Sequence, residues 1–90
     1  MQSYFRLKVI TPQGSAYQGE IVHALVPSEN GFVGVLANHA PYLTSSPGGR
    51  FEVREKSGLE KKFLAGPGFF EAARNEATFL TESFTEQHSA

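Results

Sequence analysis

Apolar and charged residues alternate near the start of the chain. Leu7 and Val9 stand on one side of this alternation, and Arg6 and Lys8 stand on the other. Successive side chains of a β-strand point to opposite faces, so a period of two is typical of a strand with one buried face. The pattern therefore predicts a half-buried strand over Tyr4 to Ile10.

Short apolar runs of the same kind recur along the chain, and turn-forming residues separate them. Turn signals at intervals of about 8 to 12 residues are typical of a β-sandwich or a barrel. Breaks are expected at Gly19 and at Pro27, because both residue types weaken or end strands. The next predicted strands cover residues 16–18, 20–26, 32–36, 51–54 and 59–65.

The stretch from residue 69 to the end fits two kinds of structure. It contains no Gly or Pro, and apolar residues recur in it at helical spacing, so the pattern alone favours a helix. The alternative is a hairpin with a turn at residues 74–76, where Asn75 tolerates the left-handed conformation. Local sequence does not decide between them. The apolar positions with helical spacing are Phe69, Ala73, Ala77, Leu80 and Phe84.

The strand predicted at residues 20–26 is apolar on both faces. Ile21 and Leu25 lie on one face, and Val22 and Val26 lie on the other. A strand that is apolar on both faces should be covered on both. We expect either a partner protein or the chain's own loops to cover the second face.

Composition excludes several functions. With 90 residues, 40% of them apolar, and a net charge of -1, the chain forms one small globular domain without a basic patch for nucleic acid. It has no cysteine, its acids are all glutamate, and its three histidines lack the spacing of metal ligands. No phosphate-binding loop or nucleophile elbow is present. We therefore expect no catalytic residues, no metal and no cofactor.

The order of small motifs along residues 5–82 resembles one known family. The chain contains Thr11-Pro12 and Gly14, then Tyr17 with Gly19-Glu20, then Pro27, Gly31, Gly34 and Leu36, then His39-Ala40-Pro41 with Leu43-Thr44, and then Pro47-Gly48. Each motif is weak alone, but their order and spacing are similar to those of the N-terminal domain of the epsilon subunit of F-type ATP synthases.

The resemblance implies an all-β fold, a β-sandwich of two five-stranded sheets over residues 1–84, followed by a short tail at residues 85–90. It also favours the hairpin over the helix at residues 69–81. The implied role is that of a non-catalytic subunit of the central stalk, which binds the gamma subunit and the ring of c subunits and couples ring rotation to ATP synthesis. The implied place is the cytoplasmic side of a bacterial membrane, as a peripheral protein, with thylakoid and mitochondrial membranes as alternatives.

The resemblance also implies two sets of contact residues. The set expected to contact the c-ring is Ser28, Glu29, Asn30, Gly31 and Phe32. The set expected to contact gamma is His39, Ala40, Pro41, Tyr42, Leu43 and Thr44, together with Val22 and Val26 from the doubly apolar strand. For His39 a second interpretation stays open, in which the ring bonds the backbone and orients the turn before Pro41.

Three features depart from the family. Many relatives carry an acid where this chain has Phe32, and many carry glycine where it has Asn38. Family members also commonly have a second domain, an inhibitory helical hairpin that binds ATP in some of them. Residues 1–90 contain no counterpart of it, so regulation by that hairpin is not expected. A generic β-sandwich module for peptide or carbohydrate is the alternative function, and a small enzyme is the least supported.

Overall fold

Nine β-strands joined by short turns make up the computed structural model, which describes residues 3 to 88. No helix occurs in this part of the chain, and the prediction of an all-β fold is confirmed. The strands are β1 (Phe5–Thr11), β2 (Gly14–Ser28), β3 (Gly31–Leu36), β4 (Tyr42–Ser46), β5 (Gly49–Glu55), β6 (Glu60–Ala65), β7 (Gly68–Ala73), β8 (Glu76–Thr81) and β9 (Phe84–Gln87).

The strand β2 belongs to both layers of the sandwich. Its first half pairs with β1, which gives a layer in the order β4-β7-β8-β1-β2. Its second half pairs with β3 on one side and β5 on the other, which gives a layer in the order β3-β2-β5-β6-β9. The ladder with β5 shifts register between Ile21 and His23, where β2 passes from one layer to the other. Counting β2 twice, each layer has five strands, as predicted.

The breaks expected at Gly19 and Pro27 are wrong, because β2 runs through both residues. A Cβ at position 19 would lie 2.8 Å from the hydroxyl oxygen of Tyr17, so the glycine makes room for that side chain. Pro27 lies opposite Phe32 in the ladder with β3. The strand β4, at Tyr42–Ser46, was not among the strands predicted from the sequence.

The hairpin at residues 68–81 is confirmed, and the helix favoured by the local pattern is wrong. Arg74 and Asn75 occupy the turn between β7 and β8 with φ angles of 53° and 60°. The deciding contact is distant in sequence, because β8 pairs in parallel with β1, with Leu7 opposite Ala77. Both edges of β8 are then hydrogen-bonded, one to β7 and the other to β1, and local sequence does not show the second partner.

Phenylalanine rings from both layers form the centre of the core. Phe51 from one layer stacks on Phe79 from the other, with ring centroids 5.1 Å apart, and it lies 6.4 Å from Phe70. Phe63 and Phe84 stack at 4.4 Å beside them. Phe51, Phe70 and Phe79 are fully buried, and aromatic rings of this size dominate the energy of a small core.

The last strand crosses the boundary expected after residue 84. Thr85 and Glu86 pair with Leu64 and Phe63 of β6, so residues 85–87 belong to the sheet and not to a tail. Residues 1, 2, 89 and 90, at the ends of the expected domain and tail, lie outside the described part of the chain.

Candidate interaction surfaces

A tight turn between β2 and β3 presents the residues that were predicted to contact the c-ring. We call residues 28–32 the tip loop. The Ser28 hydroxyl donates to the carbonyl oxygen of Gly31 at 2.5 Å, and the Asn30 amide donates to the Ser28 oxygen at 3.3 Å. Gly31 has a φ of 108°, which favours glycine. The tip loop is therefore held in one conformation by its own bonds.

A side-chain hydrogen bond fastens the tip loop to the other layer. Ser45 of β4 donates from its hydroxyl to a carboxylate oxygen of Glu29 at 2.5 Å. The carboxylate keeps a free oxygen for a partner, but its position is already set. Glu29 and Asn30 are both exposed.

A positively charged side chain lies over the aromatic ring of the tip loop. Phe32 is 52% exposed, and the guanidinium of Arg50 lies 5.4 Å from its ring centroid. Arg50 also pairs with Glu52 at 2.8 Å. The cation and the carboxylate hold the Arg50 side chain beside the ring, so this corner combines an apolar face with a positive charge.

The loop that contains His39 lies at the opposite end of β3 from the tip loop. The His39 Nδ1 is 3.2 Å from the carbonyl oxygen of Ala40, and its ring meets the Phe5 ring edge-on at 5.3 Å. Its Nε2 is buried and bonds no described residue. This geometry supports the interpretation that His39 orients the turn before Pro41, while a contact with gamma stays a prediction.

Asn38 explains one departure from the family pattern. Its φ is 62°, a left-handed conformation in which glycine and asparagine are favoured. Its amide donates to the side-chain oxygen of Asn75 at 2.6 Å, and the Asn75 side chain donates back to Asn38 at 3.1 Å. The asparagine thus keeps the backbone of a glycine and joins its loop to the β7–β8 turn.

The contact predicted at Val26 is wrong, because that side chain lies in the core with 0% exposure. The register shift at the centre of β2 turns Ala24 and Val26 inward, where the opposite layer covers them. Val22 is half-buried beside the shift. The second apolar face of this strand is therefore covered by the chain itself.

Most of the predicted gamma segment at residues 42–44 also points inward. Tyr42 packs against the core, and Thr44 stands opposite the buried Phe70. Leu43 is the exception, with 63% of its surface exposed.

Apolar side chains from four strands lie on the outer face of the first layer, three of them exposed and the fourth, Ile10, half-buried. Phe69 is opposite Leu80, and Leu80 is opposite Ile10, so the three form a row across β7, β8 and β1. Phe69 and Leu80 are 49% and 50% exposed, and Leu43 lies on the adjoining edge strand β4. We call Ile10, Leu43, Phe69 and Leu80 the apolar surface. A groove of about 410 Å³ adjoins it, lined by Ile10, Pro12, Pro67 and Leu80 and also by the polar residues Thr11, Thr81 and Glu82.

The apolar surface adjoins the tip loop. Ser45, which bonds Glu29, stands opposite Phe69 in the β4–β7 ladder and so extends the same row. The sequence pattern did not indicate Ile10, Phe69 and Leu80 as surface residues, because they come from three different strands. The available signal was the pair of adjacent phenylalanines at 69 and 70, since neighbouring residues of a strand face opposite ways.

No group of three or more potential metal-ligating side chains occurs within residues 3–88. No helix there is long and apolar enough to cross a membrane. The exposed phenylalanines Phe32 and Phe69 lie on different layers, so they do not form the joint aromatic platform expected of a carbohydrate-binding module. The fold defines a β-sandwich domain with an exposed tip loop and an exposed apolar surface next to it.

Comparison with known proteins gives the family. The model of the ATP synthase Delta/Epsilon chain β-sandwich domain matches residues 4–87, and the chain belongs to this family. The chain is 37% identical over 78 residues to the ATP synthase epsilon chain of Chlorobaculum tepidum, covering 87% of this chain and 89% of the relative. It is 36% identical over 83 residues to the chloroplastic epsilon chain of Cyanidioschyzon merolae, covering 92% and 63%.

Solved structures share the fold. A chain in the mitochondrial ATP synthase of Euglena gracilis, from an assembly with OSCP, F1 and the c-ring, superposes with a TM-score of 0.88 at 17% identity. That match covers 96% of this chain and 55% of the Euglena chain. A chain of the central stalk and c-ring of the Tetrahymena thermophila enzyme superposes with a TM-score of 0.75. This chain therefore spans little more than half of the Euglena chain.

Proposed function

We propose that this protein is a non-catalytic subunit of the central stalk of an F-type, proton-translocating ATP synthase. In this role it binds the gamma subunit and the c-ring and keeps them in fixed orientation as the ring turns. The observation that carries the proposal is the apolar surface, which adjoins the tip loop on a domain of the epsilon family. A subunit that connects gamma to the c-ring needs two contact surfaces next to each other, one for each partner.

The apolar surface is the proposed site for gamma. Three of its four side chains, Leu43, Phe69 and Leu80, are exposed in the isolated domain, and burial of apolar area is worth about 25 cal/mol per Å². Only part of this energy appears as affinity, because association also costs entropy. Leu43 belongs to this surface directly, while the loop of His39 to Pro41 would extend it along the domain.

A matched pair of substitutions tests the gamma site. Leu80→Glu places a charge in the centre of the apolar surface, and Leu59→Glu places the same charge at the β5–β6 turn, where the leucine is 53% exposed. We expect Leu80→Glu to weaken gamma binding at least tenfold in calorimetry, and Leu59→Glu to leave it unchanged. Equal affinities in two folded variants would place gamma elsewhere.

The tip loop is the proposed site for the c-ring. Phe32 offers an exposed ring, whereas Glu29 is partly engaged by Ser45. Interface aromatics often dominate binding energy, so Phe32→Ala should weaken the ring contact by about 1 to 2 kcal/mol, more than Glu29→Ala does. Asn30→Cys should cross-link to a cysteine placed in the polar loop of the c subunit. Cross-linking to gamma alone in the intact complex would contradict this assignment.

In this role the protein is peripheral to the membrane and reaches it only through the complex. We propose the cytoplasmic face of a bacterial membrane as its location. Fractionation should recover the protein with membranes, and low ionic strength or chelation that strips the catalytic head should release it. Recovery in the soluble fraction of cells with an intact complex would contradict the location.

A further inference from the structure

The strand β3 has a free edge that lacks the usual protection. It pairs with β2 on one side, and no described strand pairs with its other side. Natural edge strands are commonly protected by charges, proline, a bulge or a short length. β3 has six residues, GFVGVL, without charge or proline, and its register with β2 is regular from end to end. The edge strand β9, in contrast, is shorter and carries Glu86.

Three residues of β3 direct their backbone groups to the free edge. In an antiparallel ladder, directly opposite residues alternate between hydrogen-bonded and non-bonded pairs. Phe32 stands opposite Pro27, which has no N–H to give, so this is a non-bonded pair. Gly34 and Leu36 follow in the same alternation. Their N–H and C=O groups, with those of Phe32, point away from β2 and are available to another strand.

The same three residues present their side chains on the outer face. Phe32 is 52% exposed and Leu36 is 61% exposed, with the exposed Gly34 between them. The three outward-facing residues of β3 are therefore large, small and large in order, so this face of the strand is nearly symmetric about Gly34. Such a strand complements a reversed copy of itself.

We propose that the free edge of β3 pairs antiparallel with β3 of a second copy of this chain, about a two-fold axis at Gly34. Phe32 then lies opposite Leu36 of the second copy, and the two Gly34 residues lie opposite each other. The contact is isologous, as in most dimers of identical chains. No residue of β3 carries a charge that would repel its own image.

The dimer is weak and belongs to the free subunit. Pairing two six-residue edges buries less than the roughly 1,200 Å² of a standard stable interface, so we expect a dissociation constant above about 10 μM. Phe32 also belongs to the tip loop, so pairing and contact with the c-ring exclude each other. The edge pairing follows from the free edge alone, whereas its exclusion of the c-ring contact rests on the proposed function.

Cross-linking at the two-fold axis tests the register. The natural chain has no cysteine, so Gly34→Cys introduces a single thiol. Opposite residues in a hydrogen-bonded pair have Cα atoms about 5.5 Å apart, which a disulfide can bridge. A Cβ at position 34 meets only the movable end of the His23 ring, at 3.1 Å. Leu80→Cys, at a residue 50% exposed, is the matched control.

Under mild oxidation we expect at least ten times more covalent dimer from Gly34→Cys than from Leu80→Cys. Equal yields would show random collision or another interface. No dimer from folded Gly34→Cys at several hundred micromolar would also overturn the proposal.

Sedimentation equilibrium tests the association without a covalent bond. Phe32→Lys and Phe69→Lys make the same change at residues of nearly equal exposure, 52% and 49%. The unsubstituted chain should gain mass with concentration, Phe32→Lys should raise the dissociation constant at least tenfold, and Phe69→Lys should leave it unchanged. The reverse order of the two variants would assign association to the apolar surface. A chain that stays monomeric near millimolar concentration would overturn the proposal. That outcome would not affect the proposed binding to gamma, which is measured in a different experiment.

Discussion

At the scale of single residues, Tyr17 joins the two layers. Its hydroxyl donates to Glu55 of β5 at 2.6 Å, and its ring meets Phe63 of β6 edge-on at 5.4 Å. Lys61 adds a cation 3.7 Å from the same carboxylate. The family motif that contains Tyr17 and Gly19 is therefore a structural device, since the glycine leaves room for the tyrosine.

Replacing this tyrosine should lower stability without changing the fold. Tyr17→Phe removes one hydrogen bond to a charged group, which we expect to cost about 1 to 2 kcal/mol. For a domain of this size that corresponds to a decrease in Tm of roughly 4 to 8 °C per kcal/mol, measured by thermal circular dichroism. Tyr42→Phe is the control, because the Tyr42 hydroxyl bonds no other described residue. An equal loss of stability in both variants would show that the effect comes from removing any tyrosine hydroxyl and not from breaking the bond to Glu55.

The same tyrosine should make stability depend on pH in alkaline solution. Burial, followed by the hydrogen bond and the negative charge of Glu55, raises the pKa of the Tyr17 phenol well above its usual range. An unfolded tyrosine titrates near pH 10, so the folded state binds more protons above that pH. The stabilisation is complete below about pH 10 and is lost as pH rises towards the folded pKa. Urea midpoints between pH 9 and 11 should fall less steeply in Tyr17→Phe, and identical slopes would contradict this.

At the scale of elements, two turns at one end of the domain depend on each other. Asn38 and Asn75 both have left-handed backbones and exchange hydrogen bonds, and the Asn75 carbonyl also accepts from the Arg6 amide at 3.1 Å. The β3–β4 loop, the β7–β8 turn and the start of β1 are therefore fastened together.

Asn38→Ala should loosen this junction. Alanine pays roughly 1 to 2 kcal/mol in the left-handed conformation and lacks the side-chain bond. Asn38→Gly keeps the left-handed backbone but loses the hydrogen bond from the Asn75 side chain. Its stability should therefore fall between that of Asn38→Ala and that of the unsubstituted protein. Denaturant midpoints give this order, and hydrogen exchange should rise at the β7–β8 turn in both variants. Exchange that changes only at residues 37–41 would show that the turns are independent.

Sequence predicted most elements but not the ones that depend on distant partners. Alternation identified β1, because one face is apolar and the other is charged. The β7–β8 hairpin stayed ambiguous, because its pairing with β1 is decided by residues some seventy positions away. Leu43 was predicted from the family motif, whereas Phe69 and Leu80 were not, since the apolar surface exists only after β8 pairs with β1.

At the scale of the whole molecule, this topology should fold slowly. The parallel pairing of β1 with β8 closes almost the entire chain, and long loops cost entropy before their contacts form. All-β domains with such non-local pairing fold in milliseconds to seconds. Stopped-flow circular dichroism should show this range for the natural chain. Folding within microseconds would mean that β1 and β8 are not joined at the rate-limiting step.

The passage of β2 through both layers has a mechanical consequence. The tip loop lies at the end of β2, and β1, which carries Ile10 of the apolar surface, is hydrogen-bonded along its first half. Tension applied at the tip loop is therefore transmitted along the covalent backbone of β2 and does not have to cross the packed core between the two layers. Ladder bonds lie across a strand, so tension along β2 loads its bonds to β1, β3 and β5 together in shear. A domain joined this way resists being pulled apart layer from layer.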